Sequence, residues 1–206
     1  LSTAQIMQAA PLMERVGFKA IDFTSSTHMS MALKTHQDDP WERIRLMKAA
    51  LPGVPLQFIS TGFRFISWET ADHDFMRLVY RTLMQAGIGR FVLLDPMHDM
   101  DALLQVARIV KEEGDAQNMG ALTYTLSDVH DDAFYANCAR IMANSGDFDL
   151  VYIKDPSGLL TPERARTLIP AVKQAIGNMP LELHSHCTIG LSQFNYMTGA
   201  DLGIDA

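Results

Sequence analysis

Cysteine is nearly absent: the 206 residues include only Cys138 and Cys187. Two cysteines make no disulfide framework, so a reducing, cytoplasmic setting is expected. Long apolar runs are missing too. An uninterrupted stretch such as Phe91-Val92-Leu93-Leu94 is far shorter than the roughly 20 residues of a membrane span, and no charged-apolar-small leader opens the sequence. There is no Lys/Arg cluster and the net charge is −7, which argues against nucleic acid as a partner. No Ser/Gly-rich linker divides the chain, and residues 1–206 are expected to form a single domain. What is present is ordinary globular material, 48% hydrophobic and 20% charged, enough for one core. The 13 methionines are read as fillers of irregular core gaps.

Short apolar runs of β character recur at residues 20–23, 56–59, 91–94, 120–124, 150–153 and 181–183. Amphipathic stretches with helical spacing alternate with them, for example Phe75, Leu78, Val79 and Leu83, or Ala165, Leu168, Val172 and Ile176. Gly17 and Gly87 read as helix stops, Asp99 as a cap, and Thr161-Pro162-Glu163 as a helix start. Strand plus helix repeats about every 30 residues, the size of a βαβ unit. The pattern predicts a parallel α/β fold. The chain opens in a helix and ends at Asp201–Ala206, which reads as a turn followed by the first residues of another strand. Since a (β/α)8 TIM barrel typically needs about 250 residues, the expectation is an incomplete barrel, its first strand absent and its last strand cut.

The chemistry concentrates at two strand ends. Leu181-Glu182-Leu183 runs into His184-Ser185-His186. Alternate residues of a strand share a face, so both imidazoles point the same way and can chelate one divalent metal. Thirty residues earlier, Leu150–Ile153 runs into Lys154-Asp155-Pro156. Lys154 falls on the face of Leu150 and Tyr152, and in a barrel it would converge with the histidines at the carboxyl ends of the strands, where barrel active sites lie. A protonated lysine is repelled by a dication. It can stand there neutral with a depressed pKa or as an anionic carbamate; alternatively, it pairs with Asp95 or Glu182.

The sequence resembles the carboxyltransferase family: the carboxyltransferase domain of pyruvate carboxylase, the oxaloacetate decarboxylase α subunit and the transcarboxylase 5S subunit. These belong to a metal-dependent barrel superfamily that includes hydroxymethylglutaryl-CoA lyase. The residues that carry the resemblance are Asp39-Pro40-Trp41-Glu42-Arg43, Pro55-Leu56-Gln57, Tyr124-Thr125 with Val129-His130, Ile153-Lys154-Asp155 with Gly158–Pro162, and His184-Ser185-His186 with Thr188 and Gly190. The resemblance implies a divalent metal (zinc, cobalt or manganese) on His184, His186 and a carbamylated Lys154, with an aspartate from a strand that would precede Leu1. It implies Thr188 as a carrier of the proton that moves during carboxyl transfer. It further implies a carbonyl or 2-oxo acid substrate, a metal-stabilised enolate, biotin on a carrier domain or subunit, and an oligomeric assembly. No Met-Lys-Met biotinylation segment occurs in the chain, so biotin must come from elsewhere.

The pattern also breaks. The family's substrate-holding arginine in a Leu-Arg-Gly run is matched by Thr61, which cannot grip a carboxylate bidentately. Arg64, three residues on, is the candidate replacement; the alternative is a solvated loop residue. The family's Trp-Gly-Gly-Ala-Thr-Phe-Asp is here Phe23–Met29, with no acid at its end. Its Phe-Asp-Ala-x-Asn is Leu94-Asp95-Pro96-Met97-His98. His28, His98 and Asp95 join Thr61 and Arg64 as candidate substrate contacts in loops after strands. Cys187, where the family has aspartate, is expected to face away from His186 and pack. These changes argue against pyruvate as the substrate. Two further functions compete with the transferase: a biotin-free metal-dependent C–C lyase or aldolase, and a catalytically silent barrel subunit.

Overall fold

A computed structural model describes all of residues 1–206. Its order is α1 (Thr3–Val16), β1 (Ile21–Ser25), α2 (Ser26–Met31) running into a π-helical turn (Ala32–His36), α3 (Pro40–Ala50), β2 (Leu56–Thr61), α4 (His73–Ala86), β3 (Ile88–Leu94), α5 (Met100–Glu113), β4 (Gln117–Thr123), α6 (Asp132–Ser145), β5 (Leu150–Asp155), α7 (Pro162–Ile176), β6 (Leu181–Ser185) and α8 (Ser192–Asp201). Strands and helices alternate as in a (β/α)8 barrel, six strands of it. The strands follow in chain order. The chain forms two compact units, Leu1–Val92 with Arg108–Gln117, and Leu93–Ala107 with Asn118–Ala206. No helix is long and apolar enough to cross a membrane.

In the first unit β1 pairs in parallel with β2, Ile21 opposite Leu56 and Ser25 opposite Ile59, with an irregularity between Asp22 and Thr24. Its helices begin where polar side chains can accept the free N–H groups of a first turn: Ser2 with Gln5 as a capping box, Asp39 ahead of Pro40, and Asp72. Two of them, α1 and α4, end at Gly17 and Gly87, both at positive φ. The core holds an aromatic cluster among aliphatic side chains. Phe91, fully buried, meets Phe58 at 6.2 Å and the edge of Tyr80 at 5.3 Å. The Tyr80 hydroxyl is satisfied by Ser60 at 2.7 Å, as burial of a phenol requires.

In the second unit β4, β5 and β6 are parallel neighbours. All six residues of β5 are buried, as expected of a strand covered on both sides. Asp131 and Thr161 cap α6 and α7, and Asp99 accepts from Ala102 N–H at 3.0 Å. The chain end lies beside β6: Asp205 N–H donates to Leu181 O at 2.8 Å and Leu183 N–H to Ala206 O at 2.9 Å. Residues 205–206 are thus hydrogen-bonded along β6 without forming a seventh strand. Two helices absent from the sequence expectation appear, α2 with its π-helical turn and α8.

Candidate functional site

Parallel register places Lys154 opposite His184, Asp155 opposite Ser185 and Tyr152 opposite Glu182. Lys154 and His184 thus share one face at the carboxyl ends of β5 and β6, and His186 follows directly after β6. The two imidazole centroids are 5.0 Å apart at 64°, and Tyr152 stands 5.5 Å from His184. Lys154 is 7% exposed, an unusual position for an ammonium group. Glu182, equally buried, lies one diagonal step from it. Asp95 is committed to its own turn, accepting from Met97 N–H at 2.7 Å and Asp99 N–H at 3.5 Å.

The residues fit a divalent metal on one condition. No three His, Cys, Asp or Glu side chains cluster closely enough to hold an ion, so the two imidazoles need a different third donor. The side chain beside them is Lys154, and only in carbamate form does it supply an anionic oxygen instead of a repelling charge.

Thr188 is exposed, after β6 has ended at Ser185. A Cβ built on Gly158 would stand 2.8 Å from Thr188 N, 3.1 Å from its Cβ and 3.3 Å from Oγ1. With φ of +70° as well, position 158 must be glycine for the loop after β5 to lie against Thr188. Cys187 does not pack as expected. The strand has stopped two residues earlier, the backbone turns left-handed at φ 56°, and the thiol is exposed, 3.5 Å from Gln193 Oε1. Hydrogen bonding to Ser192 holds its pKa below the ordinary thiol value.

In the first unit the structure brings Thr61 and Arg64 together across an antiparallel bridge. Both line a pocket of about 340 Å³ with Ser26, Ser30, Lys34 and Trp68. Arg64 Nε donates to Trp68 O at 3.3 Å, and Ser26 Oγ to Arg64 O at 3.5 Å. Ile66, also in the lining, sits at φ 64°, a costly conformation for a β-branched residue. Lys34 is a cation that the sequence did not single out. His28, by contrast, is not in the lining. It is exposed, and its pKa is lowered chiefly by partial burial, with Arg43 adding to the effect.

His98 also differs from an open loop contact. It is 8% exposed, with its ring against Phe134 at 5.2 Å, His130 at 5.5 Å and Tyr135 at 5.7 Å. Neither ring nitrogen has a hydrogen-bond partner. Desolvation, helped by His130, pushes its pKa down to about 4, so it is neutral at pH 7.

Known proteins share this arrangement of strands and helices. Over 205 residues the chain is 29% identical to a pyruvate carboxylase subunit of Methanocaldococcus jannaschii, covering 100% of this chain and 36% of that protein. It is 27% identical over 207 residues to the 2-oxoglutarate carboxylase large subunit of Hydrogenobacter thermophilus, covering 98% and 31%. The chain is thus similar over its whole length to subunits of carboxylases. Its fold matches the carboxyl transferase domain of Rhizobium etli pyruvate carboxylase, solved with pyruvate, at a TM-score of 0.93 and 22% identity, covering 100% of this chain and 36% of that one. The incomplete TIM barrel expected from the sequence is thus the observed fold. No family model matches. The chain spans about a third of the length of these two carboxylase subunits.

Proposed function

We propose that the protein provides the metal-binding barrel of a biotin-dependent carboxyltransferase acting on a small carboxylate-bearing carbonyl compound. One observation carries this reading: Lys154 stands opposite His184 at the ends of adjacent strands, and the His186 ring lies 5.0 Å from that of His184. His184 and His186 would hold a divalent metal through ring nitrogens and Lys154 through a carbamate oxygen. Such a metal supplies Lewis-acid polarisation of a carbonyl as negative charge develops on its oxygen. Thr188 Oγ1 would carry the proton: it would accept one from the substrate carbon while passing its own to the group that gives up the carboxyl. Biotin arrives on a carrier domain or subunit. Arg64 and Lys34 suit the first-unit pocket to a carboxylate.

The test is metal content by elemental analysis, with Lys154→Ala and His184→Ala/His186→Ala variants, followed by turnover of 2-oxo acids with and without avidin. Near-stoichiometric metal that is lost in the variants, and turnover that avidin blocks, are expected. Metal no higher than background overturns the reading and leaves a silent barrel. Replacement of the family's arginine by Thr61 favours one second reading, a biotin-free lyase, which metal-dependent but avidin-insensitive C–C cleavage would establish. Thr188→Ser should retain activity and Thr188→Val lose it. Equal activity in both assigns Thr188 to packing on Gly158.

A further inference from the structure

Ser185 lies between the two histidines, and strand alternation turns it to the opposite face. There every polar atom it has is engaged. Its N–H donates to Tyr196 Oη at 3.2 Å, and the Tyr196 hydroxyl donates back to Ser185 O at 3.4 Å. Its own hydroxyl donates to Asp155 Oδ2 at 3.2 Å and accepts from Ser192 Oγ at 2.7 Å and Cys187 N–H at 3.4 Å. Asp155, wholly buried, is fixed in turn by Leu159 N–H at 2.9 Å and Leu160 N–H at 3.0 Å. Asn195 Nδ2 ties α8 to Leu160 O at 2.6 Å. Ser192, Asn195 and Tyr196 stand at i, i+3 and i+4, one face of the helix. Asp155 O also accepts from His186 N–H at 3.1 Å.

We infer that Ser185, clamped by Asp155, Ser192 and Tyr196, is the positioning residue that fixes the spacing of His184 and His186. The geometry assigns α8 a purpose that its sequence does not announce: it grips the backbone between two ligands from behind. A β-strand that has just ended is free to twist, and a twist at Ser185 would turn the imidazoles apart. The clamp removes that freedom through backbone and hydroxyl together, in the way that outer hydrogen bonds fix metal ligands elsewhere. The inference rests on the reading that the pair binds a divalent metal.

Co²⁺ is the probe, because its absorption bands report ligand geometry. The full chain is titrated as wild type, Ser185→Ala, Tyr196→Phe and Ser185→Thr, with Thr198→Ala, a buried α8 residue outside the clamp, as a stability control. Ser185→Ala and Tyr196→Phe should weaken Co²⁺ binding roughly 10- to 100-fold and alter its bands. Ser185→Thr should restore both, and Thr198→Ala should lower melting temperature without touching either. Amide exchange at residues 184–187 in metal-free protein should accelerate in the first two variants only. A wild type that takes up no Co²⁺ overturns the metal reading and with it the clamp's role in ligation. A wild type that binds, with Ser185→Ala and Tyr196→Phe unchanged in affinity, bands and exchange, overturns the clamp alone.

Discussion

Gly158 gives the sharpest test of how the loop after β5 is held. Gly158 and Gly146 belong to the same compact unit and have nearly the same φ, +70° and +76°. They differ in what an added Cβ would meet. At Gly146 nothing lies within 4 Å; at Gly158 the Thr188 backbone nitrogen lies at 2.8 Å. Alanine at either position bears the left-handed conformation, about 1 kcal/mol. At Gly158 it also overpacks against backbone, which cannot rotate away, adding roughly 1–3 kcal/mol.

In a protein of this size each kcal/mol moves the melting temperature by about 2–4 °C. Gly146→Ala should therefore melt about 2–4 °C below wild type, and Gly158→Ala roughly 4–16 °C below it. Urea denaturation gives the same comparison as free energy. Equal losses in the two variants would refute the argument, since the left-handed backbone alone would then account for both.

Two pH-dependent predictions concern buried groups. His98, with an ordinary value of 6.5 in the unfolded chain and about 4 when folded, stabilises least in acid: its contribution is whole above pH 6.5 and drains away down to pH 4, by at most about 3 kcal/mol. His98→Phe should flatten that part of the stability curve, and a curve identical to wild type would count against the burial. Glu113 is accessible only to 8% and receives Arg77 at 3.1 Å and Arg81 at 2.7 Å. Burial works to raise its pKa, but hydrogen bonds from Arg81 and Arg77 win and hold it below the ordinary 4.5. Its contribution is present at neutral pH and fades as pH falls through that lowered value, so Glu113→Gln should cost stability at pH 7 and little in strong acid.

Strand alternation made one half of the candidate site legible. The two apolar runs and their polar ends predict that Lys154 and His184 meet at adjacent strand ends, and the register pairs them. The same logic failed at Cys187 because the strand had already ended and alternation has no meaning in a left-handed turn. The helix α8 was hidden for another reason. Its Asn195, Thr198 and Gly199 are poor helix formers, and it is held by the clamp around Ser185 instead of by an apolar stripe. Residues 26–36 bury little more than Met29, Ser30 and Ala32, too thin a pattern to announce a helix, so Lys34 was not placed beside Arg64.

The first-unit pocket carries a prediction about substrate. Thr61 offers a hydroxyl where the family resemblance implies a guanidinium, so the bidentate grip on one carboxylate is gone. In its place stand two cations, Arg64 and Lys34. Arg64 Nε is already engaged with Trp68 O, which leaves its terminal nitrogens to a ligand, and Lys34 acts as a compact point charge. Two separate cations in about 340 Å³ suit a dicarboxylate better than a small monocarboxylate such as pyruvate, which can use only one of them at full strength. A dicarboxylate 2-oxo acid should therefore bind roughly 10- to 150-fold tighter than pyruvate, a charge-assisted hydrogen bond contributing about 1.5–3 kcal/mol. Trp68, 81% exposed in the lining, gives a fluorescence signal for the titration. Lys34→Ala should erase the preference while leaving pyruvate affinity nearly unchanged. If pyruvate binds as tightly as the dicarboxylate to wild type, the two cations do not act on one ligand, and Arg64 is the loop residue that its bond to Trp68 already explains.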